Sequence, residues 1–589
     1  MFITKINTIK KLTSHFINHQ HKTMKKTSIF PAMLWLCMAL FTGMNVYSMP
    51  GHEQALTPSQ KVDELIREYD NAETPGGAIL VMRDGEIIYR RGFGMANLSH
   101  GVPFQPGTPT NIGSTSKQFT SFAIGLLEEE GLLSLDDDIR DHIPELPDLG
   151  DTVRIWHLIS HTSGYREYLN SIVMSGRMLG DYVSYDEIIP LIQRQPKLQN
   201  TPGGSYNYNN TGYFLMAEVI QRLTGQSYPE WMEENVFLPV GMKNTLVLEN
   251  AGKVITGSAQ GYQKSDDDTF LKTSDLSASM GPGGIYSTVE DLALWVRHFH
   301  EPKVGSKALI EKMQTPFVKN DGDTLNYAMG LIIDKLNGLK RVEHGGADIS
   351  HRSAFYMFPE VKGAVIVQSN NSGIPGNISN KVAEAFFADV MEIETKEVAD
   401  SEDFIYDVEK FDEIAGRYEM VDMPGFIMEF FREDDKLYTQ ATGQGRVELF
   451  ASSDSTFYLT IVEASMTFHR NEAGEVDAMT LHQSGNHRAK RIFEPKWIPS
   501  QEDLDMYLGR YFSEELEAFY EVALDDEDNL VLRHRRFNDI PLKAEEKDVY
   551  TGSFPMTGVR FVRDDSGMVT GFRASSGRSF GIVFEKLPQ

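Results

Sequence analysis

Asn111-Ile-Gly-Ser-Thr-Ser-Lys-Gln-Phe119 sets Ser114 and Lys117 three residues apart, just where an apolar-periodic run begins. Phe119, Phe122, Ala123, Ile124, Leu126 and Leu127 recur mostly at helical spacing, and Gly131 follows as a stop signal. Residues three apart share a helix face. The spacing therefore lets the lysine amine reach the serine hydroxyl, beside the backbone N–H groups of a helix N-terminus. A hydroxyl so placed is prepared for attack on a carbonyl.

Two further stretches carry matching chemistry. In Pro202-Gly-Gly-Ser-Tyr-Asn-Tyr-Asn-Asn-Thr-Gly-Tyr213, Tyr208 near a lysine can be held as phenolate or shuttle a proton, and so serve as the base, and Asn210 can hydrogen-bond Lys117 and a substrate amide. At the end of a predicted strand stands His344-Gly345-Gly346-Ala347. Its glycines leave room for substrate beside the strand, and the amides of Ala347 and Ser114 can form an oxyanion hole.

Outward from these motifs, Pro58–Asn71 is predicted as a helix, and Gly77–Tyr89 as a hairpin turning at Asp84-Gly85. A helix is expected near Tyr213–Thr224. Strands are expected at Tyr327–Leu336, Arg341–His344, Ala354–Phe358 and Gly363–Gln368, and a helix around Ile378–Val390. Strands at both ends with helices between imply one α+β domain whose sheet joins distant segments. Acidic, aperiodic Thr395–Glu402 marks a boundary. Beyond it, Gly416-Arg-Tyr418 recurs as Gly509-Arg-Tyr511. The same register matches Leu437 with Leu530, Leu449 with Leu542, Phe457 with Tyr550 and Phe468 with Phe561. Two copies of one small antiparallel barrel or sandwich are predicted. The expected division is a leader over 1–48, an α+β domain that holds the three motifs over 55–395, and β repeats over 405–495 and 500–589.

Met24-Lys-Lys-Thr-Ser, the apolar stretch Ile29–Val46 and Val46-Tyr-Ser48 have the form of a secretory signal, with Met24 as the expected start. Export to the periplasm or medium is expected, with an uncleaved N-terminal membrane anchor as the alternative. Cys37, the one cysteine, falls in that leader, so no disulfide, thiol nucleophile or cysteine metal site is expected. No H-E-x-x-H occurs, and neither metal nor cofactor is expected. A net charge of −28 argues against nucleic acid or an anionic membrane surface as the main partner. The oligomeric state is left open.

In this order, Ser-x-x-Lys, Tyr-x-Asn and His-x-Gly resemble the penicillin-recognising serine hydrolases: class C β-lactamases, D-alanyl-D-alanine carboxypeptidases, D-aminopeptidases and related esterases. The likeness covers roughly residues 57–392 and takes in Gly92-Phe-Gly-Met-Ala-Asn97, Gly131-Leu-Leu-Ser-Leu-Asp-Asp137, His157-Leu-Ile-Ser-His-Thr-Ser-Gly164 and Gly283-Gly-Ile-Tyr-Ser-Thr-Val-Glu-Asp291. It implies a β-lactamase-like antiparallel sheet flanked by helices, with a helical subdomain. Ser114 is then the acylated nucleophile, Lys117 and Tyr208 the proton-transfer pair, Asn210 an organiser, and His344 part of the bordering strand. His161 is expected to stabilise a helix–loop corner. The β-lactamases of this group carry lysine where His344 stands, so efficient penicillin hydrolysis is not expected. The histidine form resembles D-aminopeptidases, esterases and some D,D-carboxypeptidases, and the two C-terminal repeats resemble the architecture of the D-aminopeptidases. The implied substrate is a D-amino-acid peptide or amide, with a small ester second, a β-lactam third, and an inactive cell-wall-peptide binder as the alternative of another class.

Overall fold

Strand β1 (Gly77–Arg83) and strand β2 (Glu86–Phe93) form the predicted hairpin, with Asp84 at φ 53° and Gly85 at φ 81°. Positive φ at both turn residues suits the twist of a two-residue hairpin. The computed structural model describes residues 56–588 apart from 179, 266, 274–279, 393–405, 422–425, 443–445, 460–463, 484–485 and 494–496. The predicted leader with Cys37 and the boundary at 395–402 lie outside the described residues.

Four more strands complete an antiparallel sheet: β3 (Ile332–Leu336), β4 (Leu339–Ala347), β5 (Arg352–Phe358) and β6 (Gly363–Ser369), in the order β3-β4-β5-β6-β1-β2. Alternation along β1 sends its side chains to two cores. Ala78, Leu80 and Met82 pack with Phe119, Phe122 and Trp295 of helices α2 (Lys117–Glu129) and α5 (Val289–His300). Ile79 and Val81 pack with Val62, Val382 and Phe387 of α1 (Pro58–Leu65) and α6 (Ile378–Phe387). Each fully buried Val, Leu, Ile, Met or Phe side chain among them contributes about 1.5–3 kcal/mol. Between the two halves of the sheet run α3 (Tyr168–Met174) and α4 (Asn210–Thr224), the latter ended by Gly225 at φ 71°. This is the α+β fold that the resemblance implies.

The expected elements differ from the structure in places. Helix α1 stops at Leu65, and a 3-10 turn follows over Arg67–Tyr69, which brings Asp70 onto Arg91 at 2.6 Å. The strand expected from Tyr327 begins only at Ile332. Gly330 there takes φ 73°, and a Cβ on it would lie 2.6 Å from the Gln118 nitrogen. Strand β4 runs past His344 to Ala347.

Beyond the sheet domain, eight strands from Gly416–Met420 to Asn486–Ile492 close into a barrel. The strands from Gly509 to Lys586 form a nine-stranded sheet. Its extra strand has a local cause. Arg446–Ala451 pairs with both neighbours in the first copy, whereas its counterpart is broken at Leu542 into Ile540–Pro541 and Lys543–Glu546, each pairing with one. Pro541 has no N–H to give to a second neighbour. Otherwise the copies agree in detail: Tyr418 donates to Ile414 O and Tyr511 to Tyr507 O, both at 2.7 Å. Arg470 donates to Gly474 O and Arg563 to Gly567 O, both at 2.8 Å. Among the described residues no helix is long and apolar enough to cross a membrane.

The second β domain grips the sheet domain through a buried pair, Arg166 Nε to Glu515 Oε1 at 2.5 Å, both side chains under 8% exposed. Burial pushes the Glu515 carboxyl up and the Arg166 guanidinium down, against their mutual attraction. Such a pair fixes the docking geometry more than it adds stability, but removing one member strands the other. Glu515→Ala is expected to destabilise the folded chain by about 3–5 kcal/mol, measured as a lowered denaturation midpoint; an unchanged midpoint would show the contact to be incidental.

Candidate active site

Ser114 lies in a single 3-10 turn, Gly113–Ser116, that leads into α2. Hydrogen bonds pin this turn against the sheet: Thr115 Oγ1 donates to His344 O at 3.1 Å, and Ser353 Oγ donates to Ile112 O at 2.7 Å. Two glycines permit the approach. Gly113 has φ 49°, and a Cβ there would lie 2.5 Å from Ala347 N; a Cβ on Gly346 would lie 1.9 Å from Ile112 O. Pairing of β4 with β3 ends at Glu343, so Gly345, Gly346 and Ala347 extend beyond β3 beside the serine.

Lys117 is completely buried, and its Nζ meets three oxygens: Ser114 Oγ at 3.1 Å, Asn210 Oδ1 at 2.8 Å and Pro282 O at 2.9 Å. Asn210, in the first turn of α4, donates its Nδ2 to Glu167 Oε1 at 2.9 Å. Burial holds the Lys117 amine well below the usual lysine range; the Arg578 charge pushes the same way, and Glu167 opposes both. A neutral amine gives hydrogens to Asn210 and Pro282 and turns its lone pair to the Ser114 hydroxyl. A buried ammonium has the same contacts but bears the desolvation cost of a charge.

Tyr208 leans over this amine, with Lys117 Nζ 4.8 Å from its ring centre. Its hydroxyl is buried and makes no geometrically satisfied hydrogen bond, although the Ser114 side chain interacts with it. Burial pushes the phenol up, while Ser114 and Arg578 pull it down. The resting group is therefore a protonated phenol, which disfavours the phenolate that the sequence leaves open. His161 packs 4.3 Å from the Tyr208 ring, and its Nδ1 accepts from Asn209 N at 3.0 Å. The residue expected to brace a corner also backs the tyrosine.

His344 is buried on the same side. Its Nδ1 lies 2.6 Å from Gly345 O and its Nε2 3.2 Å from the Tyr327 hydroxyl. A carbonyl only accepts, so Nδ1 carries the hydrogen and Nε2 accepts from Tyr327. Burial, aided by the Lys117 charge, pushes His344 down to about 3. The imidazole is neutral at physiological pH.

All eight predicted positions, Ser114, Lys117, Tyr208, Asn210, His344, Gly345, Gly346 and Ala347, thus meet around one cleft. Ser114, Asn210 and Ala347 also border a cavity of about 230 Å³ whose far wall is apolar: Leu169, Ile172, Val173, Met178 and Val183. Sequence reasoning missed Glu167, Pro282, Tyr327 and Arg578. Pro282 directly precedes the Gly283–Asp291 stretch and Glu167 follows Gly164 by three, but neither carries a side chain that the three motifs call for; Arg578 comes from the second β domain, its guanidinium carbon 5.0 Å from the Tyr208 ring centre.

Comparison with known proteins bears on the family and the fold. The family model described as Beta-lactamase matches residues 62–387. Penicillin-binding protein 4* of Bacillus subtilis (strain 168) is 26% identical over 426 residues, which are 70% of this chain and 93% of that protein. A D-aminopeptidase of Gluconobacter oxydans (strain 621H) is 29% identical over 297 residues, half of this chain and 56% of that relative's length. Among solved structures, the octameric penicillin-binding protein homologue from Pyrococcus abyssi aligns with a TM-score of 0.54 at 25% identity, over 74% of this chain and 99% of its own.

The electrostatics carry a sign that can be tested. The Glu167 charge raises the Lys117 pKa, so Glu167→Gln, which keeps an acceptor for Asn210, lowers it. The free amine then persists to lower pH. The acid limb of the kcat/KM profile is expected to move toward lower pH in this variant, with no new rise near pH 10.5, the unperturbed lysine value. A limb that stays in place or moves upward would separate it from Lys117.

Proposed function

The chain belongs to the Beta-lactamase family, and from that premise we propose that it is a serine hydrolase acting through an acyl-enzyme at Ser114 on D-amino-acid-containing peptides or amides. The observation that carries this reading is the buried Lys117 amine, 3.1 Å from Ser114 Oγ and depressed in pKa. Lys117 takes the hydroxyl proton as Oγ attacks the substrate carbonyl, and the amides of Ser114 and Ala347 receive the developing oxyanion. The Tyr208 phenol gives its proton to the departing nitrogen and regains one from Lys117. Water then attacks the acyl carbon, a proton returns to Ser114 Oγ, and the acid leaves.

Three features favour this substrate over the alternatives. A neutral His344 lacks the permanent charge with which a lysine grips the carboxylate of a β-lactam. Gly345–Ala347 beyond β3 offers backbone groups to an extended peptide. The apolar wall of the cavity suits an apolar side chain on the acyl group, such as that of a D-leucine or D-phenylalanine amide. A small ester meets the same nucleophile and stands second. Export belongs to the same proposal and rests on the leader at 24–48.

A fluorophosphonate probe is expected to label the wild-type chain and leave Ser114→Ala unlabelled; equal labelling of the two sinks the acyl-enzyme. Tyr208→Phe is expected to lower kcat for a D-amino-acid amide by about 10²–10⁴-fold. The loss is expected to be smaller for p-nitrophenyl acetate, whose leaving group departs without a proton.

A further inference from the structure

His161 is a buried titratable side chain that the chemistry above does not use. It is 1% exposed and holds φ 60°, in the left-handed region that residues other than glycine seldom enter. Two hydrogen bonds join it to the stretch that carries the tyrosine. Asn207 N donates to His161 O at 2.8 Å, and Asn209 N donates to His161 Nδ1 at 3.0 Å. Those two amides flank Tyr208. One residue therefore grips the backbone on both sides of the tyrosine, while its ring packs 4.3 Å from the tyrosine ring at a tilt of 39°.

The tautomer follows from these contacts. A ring nitrogen that accepts from a backbone N–H carries no hydrogen, so Nε2 bears the proton. Burial, with Lys117 pushing the same way, holds the imidazole well below the usual histidine range and keeps it neutral. An imidazolium puts a hydrogen on Nδ1 and breaks the bond from Asn209. The Nε2–H meets no hydrogen-bond acceptor among the described residues. The ring lies instead among those of Tyr206, Tyr213 and Tyr327, with centroids 5.8, 5.1 and 4.7 Å away. An apolar side chain fills such a cage without burying a lone donor. What the imidazole adds is the acceptor for Asn209, and that bond accounts for a costly residue in an uncommon backbone conformation.

The tip of the phenol has no comparable anchor, because the Tyr208 hydroxyl makes no satisfied hydrogen bond. Its place is set from behind, by the grip on its backbone and by the packing of its ring. Transfer to a reacting atom falls steeply with misplacement of even an ångström or so. We infer that His161 is a positioning residue for Tyr208: through its Nδ1 acceptor and its ring it fixes the direction in which the phenol gives its proton to the leaving nitrogen. The inference rests on the reading of Tyr208 as proton donor in a Ser114 acyl-enzyme mechanism. It gives the helix–loop corner at 157–164 a part in the second half of acylation, in addition to holding the fold.

The test compares kcat and KM of the full chain for D-phenylalanine amide, whose leaving nitrogen needs a proton, and p-nitrophenyl acetate, whose leaving group does not. Rates are referred to the fraction of chain that a fluorophosphonate probe labels at Ser114, so that loss of folded protein does not enter. His161→Phe keeps an aromatic ring and removes the acceptor; His161→Ala, which removes it without bulk, is measured in parallel. Both are expected to lower kcat for the amide relative to the ester by about 10- to 100-fold, with little change in KM. His161→Asn can set its Oδ1 near the Nδ1 position and tolerates the left-handed backbone, so it should restore most of that ratio. In a Tyr208→Phe chain, which has lost the donor, His161→Phe should move the ratio no further. A brace with no link to the donor slows both substrates together and leaves the ratio in place. An unchanged ratio in the acceptor-less variants, no rescue by His161→Asn, or an additive effect in the Tyr208→Phe chain overturns the inference. Failure of the proton-donor reading shows separately, as a Tyr208→Phe chain whose amide-to-ester ratio equals that of the wild type.

Discussion

A fully buried lysine amine is the constraint around which the catalytic domain is organised. An ammonium taken out of water costs several kcal/mol unless it is paired or gives up its proton. Here the oxygens in contact are Ser114 Oγ, Asn210 Oδ1 and Pro282 O, brought from three separate parts of the chain. Among the described residues the carboxylate in this chain of contacts, Glu167, stands one residue back, behind Asn210. That distance matters. A carboxylate in direct contact stabilises the ammonium and removes the base, whereas an amide oxygen orients the amine and leaves it free to lose a proton.

The second requirement is close approach between the nucleophile turn and the end of β4. The α2 N-terminus supplies Ser114 and the strand supplies Ala347, and two glycines let their backbones touch. Thr115 and Ser353 then lock the turn to β4 and β5 through hydrogen bonds that no solvent-exposed loop could keep in place. Precision at the serine thus comes from the sheet, and the sheet is fixed by its two cores. This order of dependence, cores first, then strand edge, then turn, then side chains, is why the site sits on rigid elements.

What the sequence made legible follows from this. Ser114, Lys117, Tyr208, Asn210 and His344 lie in short segments whose spacing is set by local geometry, so a linear reading finds them. The β1–β2 hairpin is legible for the same reason, through Asp84-Gly85. Glu167, Pro282, Tyr327 and Arg578 act across the fold, and their contacts have no linear spacing to read. The error at Tyr327 is instructive. Its apolar neighbours suggest a strand, but Gly330 must turn beneath Gln118, and the freed Tyr327 reaches His344 instead. Tertiary contact overrides strand propensity there.

The tandem β domains show one fold in two settings. Their cores match in register down to the tyrosine that bonds the carbonyl four residues before it. The first closes as a barrel; the second has one strand split at Leu542 after Pro541. It is the second copy that touches the cleft, through Arg166–Glu515, Ser579 and the turn at Gly577-Arg578. Ser579 binds the backbone carbonyl of Glu167, whose side chain holds Asn210, which in turn holds Lys117. A path of four hydrogen-bonded residues therefore links the docking of the β domain to the amine beside Ser114. The second β domain is thus tied by hydrogen bonds to the surroundings of the lysine.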